Sequence, residues 1–187
     1  MAAIIGITGT IGAGKGAIVD YLITKGFKHF SARQFLLEEI LRRGMPPVRD
    51  TMTFIADEFR RERGPEFMIG ELISRAKRSG SPAIVESIRS INEVDLFRMM
   101  VPDGYFIAVD ADPKTRFERV CLRGSSTDYV SFEKFLEDEQ KENNNIEPWR
   151  GNLSACIKSA DVVFSNDGSL AELHAKIDLV LGHIWRR

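Results

Sequence analysis

A glycine-rich turn between an apolar run and an amphipathic segment is the feature that most constrains the fold of this chain. The run AIIGIT at residues 3–8 is continuously apolar, which is typical of a strand buried on both faces. The turn GTIGAGK follows at 9–15, and residues 14–25 then carry apolar side chains at helical spacing. Gly26 stands where a glycine commonly ends a helix. The pattern predicts a strand, a tight turn and a helix that begins inside the turn.

This turn matches the first seven positions of the Walker A pattern, in the strand–turn–helix context that the pattern requires. Glycines allow a close approach of the backbone to phosphate, and amide hydrogens at a helix N-terminus attract an anion. The lysine adds a full charge for the β- and γ-phosphates. A turn that merely connects strand and helix is the alternative. The predicted phosphate loop consists of Gly9, Thr10, Ile11, Gly12, Ala13, Gly14, Lys15, Gly16 and Ala17.

The loop lacks the hydroxyl group that often follows its lysine and binds Mg²⁺ directly. Gly16 and Ala17 occupy these positions. A GTPase-like switch depends on such a ligand, so this class is disfavoured. Because Mg²⁺ retains several water ligands, we expect it to be held through water and phosphate oxygens.

Strand-like and helix-like segments alternate along the rest of the chain. Further strands are predicted at 27–31, 81–87, 105–111 and 161–166, and further helices at 32–44, 51–63, 65–79, 91–100, 113–123, 131–142, 151–159 and 169–185. Five apolar strands joined by helices predict one α/β domain, with a parallel sheet covered on both faces. Ligands bind such sheets beyond the carboxyl ends of the strands.

Polar residues follow two of these strands. Glu86 and Arg89 end the third strand; the carboxylate can hold a metal-bound water, and the guanidinium can bind an acceptor phosphate. A surface salt bridge is the alternative interpretation. Ser31 and Arg33 directly follow the second strand and are predicted to line an acceptor pocket.

Three arginines recur at helical spacings of three and four residues before a small polar segment, GSSTD, that is predicted to be mobile. Arginines beside a hinge can close over a triphosphate and stabilise the charge in transfer. Arg119 and Arg123 are the favoured candidates. Arg116 is equally well explained as part of a solvated basic face, paired with Glu118 and Asp112.

Composition excludes several classes of function. The 187 residues carry 26 Lys and Arg against 27 Asp and Glu, for a net charge of −1, so global charge favours neither nucleic-acid nor membrane binding. No apolar run approaches the roughly 20 residues of a membrane span. Two isolated cysteines indicate no metal site or disulfide framework. The first residues lack a basic leader, so we expect a cytoplasmic protein. The histidines, His29, His174 and His183, are interpreted as structural or surface residues.

Together these elements resemble the P-loop nucleoside-monophosphate kinase superfamily, including adenylate kinase-like and dephospho-coenzyme A kinase-like proteins. The resemblance covers nearly the whole chain. GTIGAGKG, LLEEILRRG, ESIRSINEV, DADPKTRFERVCLR and SNDGSLAEL are similar to a microbial branch of it. It implies a three-layer α/β/α fold whose five-stranded parallel sheet has the order 2-3-1-4-5. It further implies a helical acceptor-binding region at about 32–80 and a short lid at about 116–142.

The resemblance also implies roles for individual residues. ATP and Mg²⁺ are the expected cofactors, with Glu86 holding the metal through water. The implied catalytic residues are Lys15, Arg89, Arg119 and Arg123, and the implied acceptor-binding residues are Ser31, Arg33 and Arg89. Asn166 and Gly168 would lie against the base, although the same segment can be interpreted as a tight turn with Gly168 at positive φ and Ser169 as a helix N-cap.

The expected activity is transfer of the γ-phosphoryl group of ATP to a nucleoside or deoxynucleoside monophosphate. Dephospho-coenzyme A is the alternative acceptor. An ATP-binding regulatory or ATPase module with little phosphotransfer is the alternative from another class, and Gly16 and Ala17 favour it. The partner is a small-molecule nucleotide, and the protein is expected to be a monomer or homodimer.

Overall fold

The structure, a computed structural model, describes residues 2–123, 131–143 and 151–184. The segment GSSTD at 124–128, and with it part of the predicted lid, lies outside the described residues. The proposed limits of the acceptor-binding region and the lid therefore stay predictions.

The described residues alternate between strands and helices, as the sequence pattern predicts. The strands are β1 (Ile4–Gly9), β2 (Lys28–Ser31), β3 (Ala83–Glu86), β4 (Tyr105–Asp110) and β5 (Val162–Ser165). The helices are α1 (Lys15–Thr24), α2 (Ala32–Arg42), α3 (Arg49–Arg63), α4 (Phe67–Arg78), α5 (Ile91–Met100), α6 (Pro113–Arg123), α7 (Phe132–Asn143), α8 (Leu153–Lys158) and α9 (Leu170–Ile184).

All five strands pair in parallel in the order β2-β3-β1-β4-β5, which confirms the fold class. The register aligns the carboxyl ends of the strands. Glu86 is the Cα partner of both Ile7 and Ser31, and Asp110 is the partner of Ser165. The phosphate loop and the polar ends of the other strands therefore share one edge of the sheet.

Side chains of alternating strand residues enter two separate cores, one on each face of the sheet. Ile4 and Val85 belong to the first core, together with residues of α2, α4, α5 and α8. Ile5 and Ile7 belong to the second, which α1 and α9 cover. Successive side chains of a strand point to opposite faces, so the continuous apolar run of β1 supplies both cores. This gives the three α/β/α layers.

Helices α2, α3 and α4 form the connection between β2 and β3. Side chains define the start of several helices: Ser31 accepts a hydrogen bond from the Gln34 amide, and Ser90 forms a reciprocal capping box with Glu93. Within the described residues, no helix is both long enough and apolar enough to cross a membrane.

Candidate nucleotide-binding site

Left-handed glycines shape the phosphate loop between β1 and α1. Gly12 has φ 77° and Gly14, the N-cap of α1, has φ 104°. A Cβ atom at Gly12 would lie 2.5 Å from the carbonyl oxygen of Arg116, and one at Gly14 would lie 2.3 Å from Nδ2 of Asn166. From the sequence, these glycines are expected to allow close approach of the backbone to phosphate. The structure shows a second reason for glycine that does not depend on a ligand. Backbone conformation and protein neighbours already require glycine at both positions.

Buried polar contacts support the loop from behind. Thr10 donates a hydrogen bond from Oγ1 to Oδ1 of Asp110, at 2.6 Å. Asn166 is only 5% exposed and donates from Nδ2 to the carbonyl oxygen of Ala13, at 2.8 Å. These contacts join the loop to the ends of β4 and β5. The sequence analysis did not predict a role for Asp110. Its position at the carboxyl end of a predicted strand could have indicated one, because sites of parallel sheets lie at that edge.

The side chain of Lys15 folds back over the loop. Its Nζ donates to the carbonyl oxygens of Gly9, at 2.6 Å, and Thr10, at 2.9 Å. The ammonium group is therefore held against the backbone of the loop, in a residue that lines the cavity described below. This arrangement concentrates positive charge where a bound phosphate would lie.

A cavity of about 550 Å³ opens beside this loop. Most of the predicted ATP and catalytic residues line it, namely Gly9, Ile11, Gly12, Gly14, Lys15, Gly16, Ala17, Glu86, Arg89, Arg119 and Arg123, together with Val120 and Leu153. Elements far apart in the chain therefore present glycine backbone and several cations to one space. Such a space suits a polyanion.

The remaining predicted residues lie outside this lining as the structure describes it. Thr10 and Ala13 are buried residues of the loop itself, and Asn166 is buried where it donates a hydrogen bond to Ala13. Ser31 is buried and caps α2, and Arg33 is exposed. Their proposed acceptor role stays a prediction. Gly168 is not at positive φ, contrary to the tight-turn interpretation, whereas Ser169 does cap the following helix by exchanging hydrogen bonds with Glu172.

Glu86 supplies a carboxylate to the cavity and is paired with a histidine. Its Oε2 lies 2.9 Å from Nε2 of His29, and both side chains are about one-quarter exposed, at 23% and 26%. The hydrogen bond to His29 lowers the pKa of Glu86, assisted by the charges of Lys15 and Arg89 and opposed by burial. Glu86 is therefore ionised at neutral pH. The sequence interpretation of His29 missed this contact, because the two residues belong to neighbouring strands 57 positions apart.

The turn after β3 holds Arg89 at the cavity through its backbone. Ser87 has φ 84°, an uncommon conformation for a non-glycine residue and one that is often found at functional sites. The Arg89 amide donates to Oε2 of Glu93, at 2.7 Å, and its carbonyl accepts from the Asn152 amide, at 2.8 Å. Burial raises the pKa of Glu93. The exposed guanidinium of Arg89 extends from a fixed backbone.

The three arginines of α6 have different surroundings. Arg116 is 3% exposed and forms a bidentate ion pair with Glu139, so the interpretation as a solvated basic face was wrong. Arg119 has a buried Nη1 that finds no hydrogen-bond partner within the described part of the chain. Buried donors are normally satisfied, and Arg119 lines the cavity. A role of Arg119 in ligand binding stays a prediction, as does that of Arg123, which is exposed one turn further along.

The fit of a divalent cation depends on one carboxylate in this cavity. The described residues contain no cluster of three or more His, Cys, Asp or Glu side chains placed to hold a metal. Glu86 is ionised and lines the cavity, while Gly16 and Ala17 offer no hydroxyl. This donor set is suited to Mg²⁺ held through water and phosphate oxygens rather than in a protein cage.

Together the sheet order and this loop define a P-loop protein with the architecture of the nucleoside-monophosphate kinase superfamily. The chain belongs to the family described as AAA domain, whose model matches residues 5–150, and to the UPF0200 proteins. One UPF0200 relative, protein TK1334 of Thermococcus kodakarensis, is 31% identical over 183 residues, which cover 95% of this chain and 96% of the relative.

Two solved kinase structures share the fold. Shikimate kinase from Bacteroides thetaiotaomicron has a TM-score of 0.59 at 11% identity, covering 96% of this chain and 98% of its own. Dephospho-CoA kinase from Campylobacter jejuni has a TM-score of 0.55 at 16% identity, covering 98% of this chain and 97% of its own. At these identities the likeness concerns the fold alone, and it agrees with the α/β/α fold that the sequence motifs imply.

Proposed function

We propose that this protein is an ATP-dependent small-molecule kinase that transfers the γ-phosphoryl group to a nucleotide-like acceptor. The observation that carries the proposal is the buried Nη1 of Arg119 beside the phosphate loop, which has no hydrogen-bond partner among the residues that the structure describes. A buried guanidinium N–H group without a hydrogen-bond acceptor costs free energy, unless a bound ligand supplies the acceptor. The triphosphate of ATP is such a ligand, and the nearby Lys15 and Arg123 belong to the same cavity.

In this proposal the protein works by positioning and charge stabilisation, without a covalent intermediate. The loop amides and Lys15 bind the β- and γ-phosphates. Arg119 and Arg123 stabilise the charge of the phosphoryl group in transfer, and Arg89 orients the acceptor. When bound, Mg²⁺ neutralises charge on the phosphates. Glu86 would hold it through a water molecule.

The acceptor most strongly supported is a nucleoside or deoxynucleoside monophosphate. An alcohol acceptor needs a general base within hydrogen-bond reach. Glu86 is the carboxylate in the described lining of the cavity, and its lowered pKa makes it a weak base at neutral pH. A phosphate acceptor already carries an anionic nucleophile and pairs with Arg89.

Dephospho-coenzyme A is the second candidate acceptor, supported by the shared fold of dephospho-CoA kinase from Campylobacter jejuni. It would be phosphorylated on a hydroxyl group. An ATP-binding regulatory or ATPase module is the candidate from another class, because the loop hydroxyl for Mg²⁺ is missing. A cytoplasmic location and a monomeric or homodimeric state remain predictions.

The test is transfer from γ-labelled ATP with Mg²⁺ to a panel of nucleoside and deoxynucleoside monophosphates and dephospho-coenzyme A. We expect label on a monophosphate. Label on dephospho-coenzyme A would identify the second candidate. Label released only as inorganic phosphate would refute kinase activity and favour the ATPase module.

Lys15→Met should lower the transfer rate by about 100-fold or more, because a positioned charge at the transferring group is lost. Lys25→Met is the matched control. Lys25 caps the same helix at its other end and pairs with Asp178 on the surface, so its loss should leave the rate unchanged. Equal rates for Lys15→Met and the wild type would contradict the proposed phosphate site.

A further inference from the structure

Arg116 carries a buried charge whose contacts lie behind the phosphate loop rather than in the cavity. Its side chain is 4% exposed. Nε donates to the carbonyl oxygen of Ala111, at 2.8 Å, and Nη1 lies 3.5 Å from the carbonyl oxygen of Ile11. The guanidinium thus touches the loop backbone directly. The Cβ position of Gly12 faces the Arg116 carbonyl, so the first turn of α6 and the loop are in contact along two residues.

Two carboxylates face the guanidinium of Arg116. Glu139 of α7 binds it in bidentate geometry, with Oε2 2.9 Å from Nη2. Asp110 places Oδ1 3.5 Å from Nε, and the same oxygen accepts the hydroxyl of Thr10. The ring of Phe135 lies 5.6 Å from the guanidinium carbon. A continuous set of contacts therefore joins the loop, the end of β4, α6 and α7.

Arg119 lies one turn after Arg116 on the same face of α6. A shift of the turn that carries Arg116 would therefore also move Arg119, which lines the cavity beside the loop. A buried arginine charge is stable only when it is paired. Loss of Glu139 would therefore release Arg116 from α7 and shift this turn of α6.

We propose that the Arg116–Glu139 ion pair is a positioning device that holds Arg119 at the phosphate site. Arg116 and Glu139 are not among the described residues that line the cavity, and they act through Arg119. The inference rests on the proposed function in one respect: the anion bound by Arg119 is the triphosphate of ATP. In this proposal α7, the helix after the predicted hinge, helps to set the geometry of the nucleotide site.

The test is a double-mutant cycle read by calorimetry of Mg²⁺–ATP binding. The proteins are the wild type, Glu139→Gln, Arg119→Ala and the double variant. We expect each single change to weaken binding by about tenfold, and the double variant to bind within about threefold of Arg119→Ala. If Glu139 acts only through Arg119, its substitution has no further effect on ATP binding in a protein that already lacks the Arg119 side chain.

Asp138→Asn is the matched control. Asp138 directly precedes Glu139, pairs with Lys134 and has a side chain that is 52% exposed. The Asp138→Asn variant should bind Mg²⁺–ATP as the wild type does.

Additive losses in the double variant, or unchanged binding by Glu139→Gln, would overturn the proposal. Should Glu139→Gln fail to fold, Glu139→Asp retains the charge with a shorter reach, and the same non-additivity with Arg119→Ala is expected. In a transfer assay, Glu139→Gln should lower kcat more than it raises KM, because misplacement of a charge-stabilising group affects the transition state most. Wild-type protein that binds no ATP would refute the proposed function, whereas binding with additive losses would refute only this coupling.

Discussion

Gly16 has open space beside its Cα atom, unlike the glycines that shape the preceding turn. A Cβ atom built there meets nothing within 4 Å, and the residue is not at positive φ. No described neighbour therefore excludes a side chain at this position. The absence of a hydroxyl group at this position is therefore a feature of the sequence rather than a steric requirement of the fold.

Gly16→Ser should restore a direct Mg²⁺ ligand. We expect the apparent affinity for Mg²⁺ in the presence of ATP to rise by about tenfold, or about 1.4 kcal/mol, because a hydroxyl oxygen replaces a water molecule on the metal. Titration of Mg²⁺ against transfer rate or ATP binding measures the change. Gly16→Ala separates the hydroxyl from the extra Cβ, and an equal gain in the alanine variant would contradict the explanation.

At the scale of elements, ion pairs connect the helices between β2 and β3. Arg43 binds Glu39 within α2 and Glu58 of α3, at 2.6 Å in each case. Hydrogen bonds from Arg42 and then Arg43, together with their charges, lower the pKa of Glu39 to about 2 from its ordinary value of 4.5. Since the depressed pKa belongs to the folded state, its contribution to stability is present above pH 4.5 and is lost as the pH falls through about 2.

Glu39→Gln should therefore destabilise the protein at pH 7 and become neutral at low pH. We expect a loss of about 1 kcal/mol at pH 7, or about 2–4 °C in Tm for a chain of this length, with the difference disappearing between pH 4.5 and 2. Thermal unfolding across this pH range measures it. Asp57→Asn removes an exposed pair within α3 and should change stability by less than about 0.5 kcal/mol. A difference that is constant with pH would refute the ion-pair explanation.

At the scale of the whole molecule, the two cores hold the sheet between its helical layers, and large side chains fill the first of them. Phe97 of α5 is fully buried and packs against Phe106 of β4, with ring centroids 6.0 Å apart. This contact joins a helix to a central strand. The same helix begins directly after the turn that carries Arg89, so packing of α5 also supports the site.

Phe97→Ala should cost about 3–5 kcal/mol of the free energy of unfolding, because it removes buried contacts and leaves a cavity. Urea denaturation should show a lower midpoint with an unchanged slope. Met99→Ala is the control on the same helix. Met99 is 71% exposed and should change the stability by less than about 0.5 kcal/mol; similar losses in both variants would contradict the assignment of the core.

Much of the fold was predictable because its elements leave local signals. The predicted strands and helices agree with the observed ones to within a few residues; the helix predicted at 51–63, for example, begins at Arg49. The strand–turn–helix pattern placed the phosphate loop, and the spacing of Arg119 and Arg123 on one helix placed both in the cavity. Sheet order came from the family resemblance, since periodicity alone does not specify which strands are neighbours.

By itself, the sequence determined the layered fold, the phosphate loop and the arginines beside it, because strand and helix periodicity and glycine conformations are local properties. Tertiary structure alone decided the partners behind the site. Thr10 with Asp110, Ala13 with Asn166 and Arg116 with Glu139 join residues 100, 153 and 23 positions apart. Such pairs form only after strand order and helix packing have brought buried polar groups within reach of one another, where leaving any of them unpaired would be costly.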